Sequence, residues 1–116
     1  MTAASGDELE EWVREALDSL PPELAGRVDN LGVEIADEEP PRRGLLGLYQ
    51  GIPLTRRSHG YVLALPDRIT IYRRPLERLY GHDRELLRRQ VHHVVLHEVA
   101  HHFGISDERL REIGRY

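Results

Sequence analysis

The 116-residue chain contains no cysteine. Disulfide cross-links and thiolate metal sites are therefore excluded, and any bound metal must rest on histidine and carboxylate. Lysine is absent as well: all sixteen basic residues are arginine, a compositional bias of the source that points to no function of its own. No apolar stretch approaches membrane-spanning length, and Met1 to Glu11 is acidic without an apolar signal region. The expectation is a soluble, cytoplasmic protein with no membrane partner. The formal net charge of -4 gives no general pull toward nucleic acid, which is not an expected partner. Arginines do concentrate at Arg73, Arg74, Arg78, Arg84, Arg88 and Arg89, and a solvated face paired with acidic neighbours accounts for them. The length fits one domain over residues 1–116, long enough to bury a core.

What is present reads as an α+β chain. Asp7 can cap a first helix in which Leu9, Trp12, Val13, Ala16, Leu17 and Leu20 form one apolar stripe, with Trp12 as a core anchor. Pro21 and Pro22 end it, and a helical turn over Glu23 to Arg27 is possible. Leu31 to Ala36 alternates as a strand, with Leu31, Val33 and Ile35 on one face. Asp37 to Gly44 is a loop, Leu45 to Gln50 a second strand, and a polar loop follows through Gly60. Tyr61 to Leu65 and Ile69 to Tyr72 are β-rich runs joined by Pro66-Asp67-Arg68, so a hairpin with antiparallel neighbours is predicted. A short helix over Pro75 to Tyr80 precedes Asp83, which caps a long helix ending near Phe103. That helix is apolar on several sides, as a helix buried beneath a sheet would be. Ser106 or Asp107 starts a last helix through Arg115.

The long helix carries the most informative segment, His97-Glu98-Val99-Ala100-His101-His102-Phe103-Gly104-Ile105-Ser106-Asp107. Residues four apart share a helix face, so His97 and His101 can grip one cation. Glu98 lies roughly 100° around the axis, beside the metal, where a general base is wanted. Gly104 can take the left-handed conformation that stops a helix, after which Asp107 can return an oxygen to the ion. A match to the five-residue core alone arises by chance in about one in 20 chains of this composition. Requiring Gly104 and Asp107 at their offsets lowers that to a few in ~10,000. The apolar setting of Val94, Val95, Leu96, Val99 and Phe103 argues against a tag-like histidine run. His93 shares the ligand face and is expected beside the site or in packing. His92 and His102 point elsewhere and are expected to be structural, while His59 and His82 read as ordinary exposed histidines.

Taken together, Leu48-Tyr49-Gln50-Gly51-Ile52-Pro53-Leu54, Leu65-Pro66-Asp67-Arg68-Ile69 and His97-Glu98 through Ser106-Asp107-Glu108 give the chain a resemblance to a small zincin-like metallopeptidase family of bacteria. The resemblance covers roughly the C-terminal two-thirds. It implies a zincin-like α+β fold, a small mixed β-sheet packed on an N-terminal helix and a long active-site helix. It further implies one Zn2+ held by His97, His101 and Asp107, with Glu98 as catalytic base. The extended motif is also similar to that of the metzincins, with Asp107 in the place usually taken by histidine. The methionine turn of that group has no counterpart, because Met1 is the only methionine. A later glutamate ligand, as in gluzincins, would have to be Glu108 or Glu112, which fall too soon.

Three protein ligands leave a fourth zinc position for water, and the expected reaction is hydrolysis of an amide in a peptide or protein substrate. The peptide would add as a strand to an exposed edge, at Leu45 to Gln50 or Tyr61 to Leu65. An additional oxyanion donor could come from Tyr49, Tyr72, Tyr80 or His93. Other classes carry related motifs: a metal-dependent endoribonuclease, a regulatory peptidase with an added sensor domain, and a non-catalytic zinc-stabilised interaction module. Glu98 directly after His97 favours the peptidase.

Overall fold

The computed structural model describes residues 6–28, 31–51 and 67–112. The first helix, α1 (Gly6–Asp18), starts one residue before Asp7, which therefore sits in its first turn and not at the cap position. Its Leu9, Trp12, Val13 and Ala16 are buried at the three-and-four spacing of an amphipathic helix. Leu17 and Leu20 are partly buried against the same core. Pro21 and Pro22 close this element and open the short α2 (Pro22–Ala25), where proline at the first position forfeits no helical hydrogen bond.

Three strands follow. Strand β1 (Leu31–Ala36) alternates as expected, with Gly32 and Glu34 exposed and Leu31, Val33 and Ile35 half-buried. Strand β2 (Gly47–Gln50) is shorter than the expected Leu45 to Gln50, although the Leu46 carbonyl still accepts from the Tyr72 amide at 3.0 Å. Strand β3 (Asp67–Tyr72) is the centre of the sheet, whose order is β1-β3-β2. It runs parallel to β1, with Ile69 opposite Val33, and antiparallel to β2, with Ile69 opposite Tyr49.

This topology overturns the hairpin read from Pro66-Asp67-Arg68. Asp67 and Arg68 lie inside β3, and both hydrogen-bonding edges of β3 are taken by β1 and β2. The physical reason is tertiary: Asp67 is 1 % exposed and its carboxylate is bonded by side chains from β2 and the long helix, which overrides its turn preference. The run Tyr61 to Leu65 itself lies outside the described residues.

Helix α3 (Arg73–Tyr80) begins directly from β3, two residues before the expected start. The Asp83 side chain accepts from the Leu86 amide at 3.1 Å and caps α4 (Arg84–His102), as its sequence predicts. Leu87, Val91, Val94, Val95, Glu98, Val99 and His102 form one buried stripe along α4, while His93 and Leu96 remain exposed. The stripe is broad because α4 packs against α1, α3 and two strands at once. The last helix, α5 (Asp107–Glu112), has Ser106 at its start, whose hydroxyl accepts from the Arg109 amide; residues 113–116 lie outside the description.

Four of the six arginines in the run pair with acidic neighbours, as expected. Arg88 donates to Glu15 at 3.0 and 3.1 Å, Arg73 pairs with Asp37, Arg78 with Glu39 and Arg84 with Glu8. Exposed pairs of this kind are worth about 0–1 kcal/mol each, so the apolar core carries the fold. Among the described residues no helix is long and apolar enough to cross a membrane. Ile69 is fully buried at the centre of that core. Ile69→Ala should lower the unfolding free energy by about 2–5 kcal/mol in chemical denaturation, and a loss under about 1 kcal/mol would contradict the packing.

Candidate metal centre

The motif segment folds as its spacing requires. His97 and His101 present their rings from one face of α4, with Nε2 atoms 3.2 Å apart. The helix then stops in a paired turn: the Ile105 amide donates to the Ala100 carbonyl and the Gly104 amide to the His101 carbonyl, both at 2.9 Å. Gly104 has φ 84°, a left-handed conformation that this closure needs and that costs side-chain-bearing residues about 1–2 kcal/mol. The reversal brings Asp107, first residue of α5, back over the helix end. Its Oδ1 lies 3.0 Å from Nε2 of both His97 and His101.

The same turn orients the His101 ring. His101 Nδ1 lies 2.9 Å from the Ile105 carbonyl oxygen, which can only accept, so Nδ1 carries the proton. In the neutral ring Nε2 then holds a lone pair aimed at His97 and Asp107. His97 is held below the ordinary histidine range, first by burial and then by the neighbouring His101. With His97 in the tautomer that also leaves Nε2 unprotonated, two imidazole lone pairs and a carboxylate oxygen would converge, an arrangement that positive charge among them stabilises. Their separations of 3.0 to 3.2 Å approach the edge of a tetrahedron whose centre is ~2.0–2.1 Å from each corner, about 3.3 Å. The donor set fits a small divalent cation.

Glu98 points beside this triangle. Donor atoms of His97, Glu98 and His101 lie within 4.8 Å of one another, so these three could themselves form a metal site. The Asp107 oxygen is nearer to both histidines, and the Glu98 carboxylate is engaged by the Tyr49 backbone amide. Burial raises the Glu98 carboxyl above the usual carboxylate range, and Asp107 adds to the effect, while His101 and the Tyr49 amide oppose it. The geometry thus separates an outer donor, Asp107, from an inner carboxylate of increased basicity.

Tyr49 belongs to β2, the outer strand of the sheet among the described residues, and the register explains its reach. Leu46 exchanges a ladder bond with Tyr72, so Gly47 and Tyr49 fall at alternate positions whose amides face away from β3. The Tyr49 N–H is therefore free of the ladder and meets Glu98. Close approach of β2 to α4 is possible because residue 47 is glycine: a Cβ there would sit 2.6 Å from Val94 Cγ1 and 3.2 Å from Glu98 Cγ.

Beneath lies a buried network that sequence reasoning missed. The Tyr49 hydroxyl donates to Asp67 Oδ2 at 2.6 Å, and His102 Nδ1 approaches the same oxygen at 2.8 Å. The other His102 nitrogen faces the Arg27 carbonyl at 3.3 Å. His102 was expected to be structural and is, as is His92, which bonds Glu15 at 3.0 Å. Tyr49 and Asp67 come from the two upstream segments that carried the resemblance, and they meet through His102 of the motif helix. Spacing could not reveal this; only the odd coexistence of those polar residues with apolar runs hinted at it.

A cleft of about 340 Å³ runs along β2 past His97, Glu98, His101 and Asp107. Of the four oxyanion candidates, Tyr49 and His93 border it; Tyr72 is buried and Tyr80 packs on the core. The rings of His93 and His97 lie 6.1 Å apart. His82 is exposed and remote in this arrangement, and His59 lies outside the described residues.

With this geometry in place, comparison with known proteins is decisive at the level of family. The sequence profile of the zincin-like metallopeptidases matches residues 28–115, three-quarters of the chain. The chain belongs to that family. No curated protein matches it. The small mixed sheet, the motif helix and the His-Glu-His cluster agree with a zincin-like fold.

Two expectations follow. Gly47→Ala should push β2 from α4 and lower the protection of the Tyr49 amide in hydrogen exchange; unchanged protection would mean that the contact is not limiting. The pH dependence has a defined sign. A Glu98 value raised in the folded state stabilises the protein at low pH, and that contribution is lost as pH rises from the ordinary glutamate range through the folded value. Metal-free Glu98→Gln should therefore unfold at a higher temperature than the metal-free parent at neutral pH, and the gap should close on acidification. A variant less stable at neutral pH would contradict this.

Proposed function

We propose that the protein is a zinc-dependent peptidase, with one Zn2+ held by His97, His101 and Asp107 and with Glu98 as the general base. The observation that carries this reading is the convergence of three neutral or anionic donors beside a separate, buried carboxylate. A zinc ion in such a site supplies an acidified water and polarises a carbonyl oxygen.

The protein's own groups account for the rest. Glu98, held above the usual carboxylate range by burial, accepts the proton of the attacking water and returns it to the leaving amine. The Tyr49 amide keeps the carboxylate aimed while it does so. The Ile105 carbonyl holds the His101 ring in the tautomer that offers Nε2. The substrate is an extended peptide segment laid along β2, whose Gly47 and Tyr49 carbonyls face away from β3 into the cleft. His93, at the border of that cleft, is the side chain best placed to aid the carbonyl oxygen. The paired state of Arg73, Arg78, Arg84 and Arg88 removes the main support for a phosphate-binding alternative.

Purified protein should hold close to one zinc per chain by metal analysis, and His101→Ala should largely abolish binding. Asp107→Ala should weaken it more than Glu108→Ala; the reverse order would move the third ligand. Glu98→Gln should keep zinc and lower the cleavage rate of a quenched peptide library by about 10²–10⁴-fold. Full activity in that variant would eliminate Glu98 as the base.

A further inference from the structure

The cleft is also bordered by an exposed cation that the proposed water chemistry does not use. Arg42 is the only arginine lining it among the described residues. It opens a tight turn in which the Leu45 amide donates to the Arg42 carbonyl at 3.4 Å. Gly44, third in that turn, has φ 89°, as a type II geometry requires. The loop before it is anchored to α3. Arg78 donates to both Glu39 oxygens at 2.8 and 2.9 Å, Arg73 pairs with Asp37 at 2.8 Å, and Arg74 donates to the Asp37 carbonyl.

Asp37 and Glu39, the acids engaged in these bonds, are thus occupied by α3, and Arg42 has no ion-pair partner among the described residues. It stands over a cleft whose wall is apolar at Leu45, Leu46 and Val94. The cleft volume, about 340 Å³, is near the lower end of the ~300–1,000 Å³ typical of ligand sites. Such a cleft holds a short stretch of chain, so a group reaching Arg42 belongs to a residue close to the bond being cut. A planar guanidinium recognises a carboxylate through two parallel hydrogen bonds.

We propose that Arg42 binds a carboxylate of the peptide substrate, next to an apolar residue seated on Leu45, Leu46 and Val94. This deepens the peptidase reading and rests on it. The carboxylate has two possible sources, the C-terminus of a short peptide or an acidic side chain, and the chemistry of recognition is the same.

Calorimetry on the zinc-loaded, full-length Glu98→Gln protein separates the two, because binding is then measured without cleavage. The probes are N-acetyl-Leu-Leu with a free C-terminus, its C-terminal amide, N-acetyl-Leu-Glu-amide and N-acetyl-Leu-Gln-amide. In one pair the acid should bind roughly tenfold tighter than its neutral partner. A preference in the first pair assigns the chain end, and a preference in the second assigns the side chain. Adding Arg42→Ala should erase that preference with zinc content and thermal unfolding unchanged, and Arg42→Lys should restore part of it. Equal binding within both pairs, no binding of any probe, or a preference that survives Arg42→Ala would overturn the proposal. In the last case the metal itself holds the carboxylate. A parent protein that shows the Arg42-dependent preference yet cleaves none of a broad set of peptides would refute the hydrolytic reading and leave the carboxylate site standing.

Discussion

The buried carboxylate of Asp67 holds the molecule's working parts in register. It sits on β3, takes a hydrogen bond from Tyr49 of β2 and pairs with His102 of the motif helix. A carboxylate removed from water costs several kcal/mol unless such partners compensate it, so the three elements are committed to one arrangement. Through His102 the arrangement extends to the Arg27 carbonyl beyond α2. The position of β2 follows from this clamp, and the aim of Glu98 follows from the position of β2.

The candidate site thus has two halves of different origin. The donors of His97, His101 and Asp107 are brought together by helix periodicity, a glycine-stopped helix end and the start of α5, all within one short segment. Glu98 belongs to the same segment, but its surroundings do not. Its burial and its bond to the Tyr49 amide come from a strand some fifty residues earlier, brought close because Gly47 offers no side chain to the helix. A local code sets where charge can be bound, and a long-range one sets how basic the adjacent carboxylate is.

That division also explains what could be read from the chain beforehand. Helices α1 and α4, the Asp83 cap, strand β1 and the meeting of His97, His101 and Asp107 were legible because periods, caps and a glycine stop act over a few residues. Asp67 was misread because Pro66-Asp67-Arg68 has the local chemistry of a turn, while the bonds that draw Asp67 into a strand come from residues 18 and 35 positions away. The parallel pairing of β1 with β3 left no trace for the same reason. Gly47 falls inside the strand expected over Leu45 to Gln50, and its role is visible only from the helix that crosses it.

The contiguity of the donor segment bears on how the protein matures. His97 to Asp107 spans eleven residues, so closing a ring around a cation costs little chain entropy even before the sheet exists. An unfolded or nascent chain would already offer much of the proposed ligand set. A metal that binds both states stabilises the native one only by the difference, so occupancy contributes less to global stability than its affinity suggests. On the proposed ligand set, folding and metal loading would therefore be weakly coupled, with the scaffold resting on its apolar core and the Asp67 clamp.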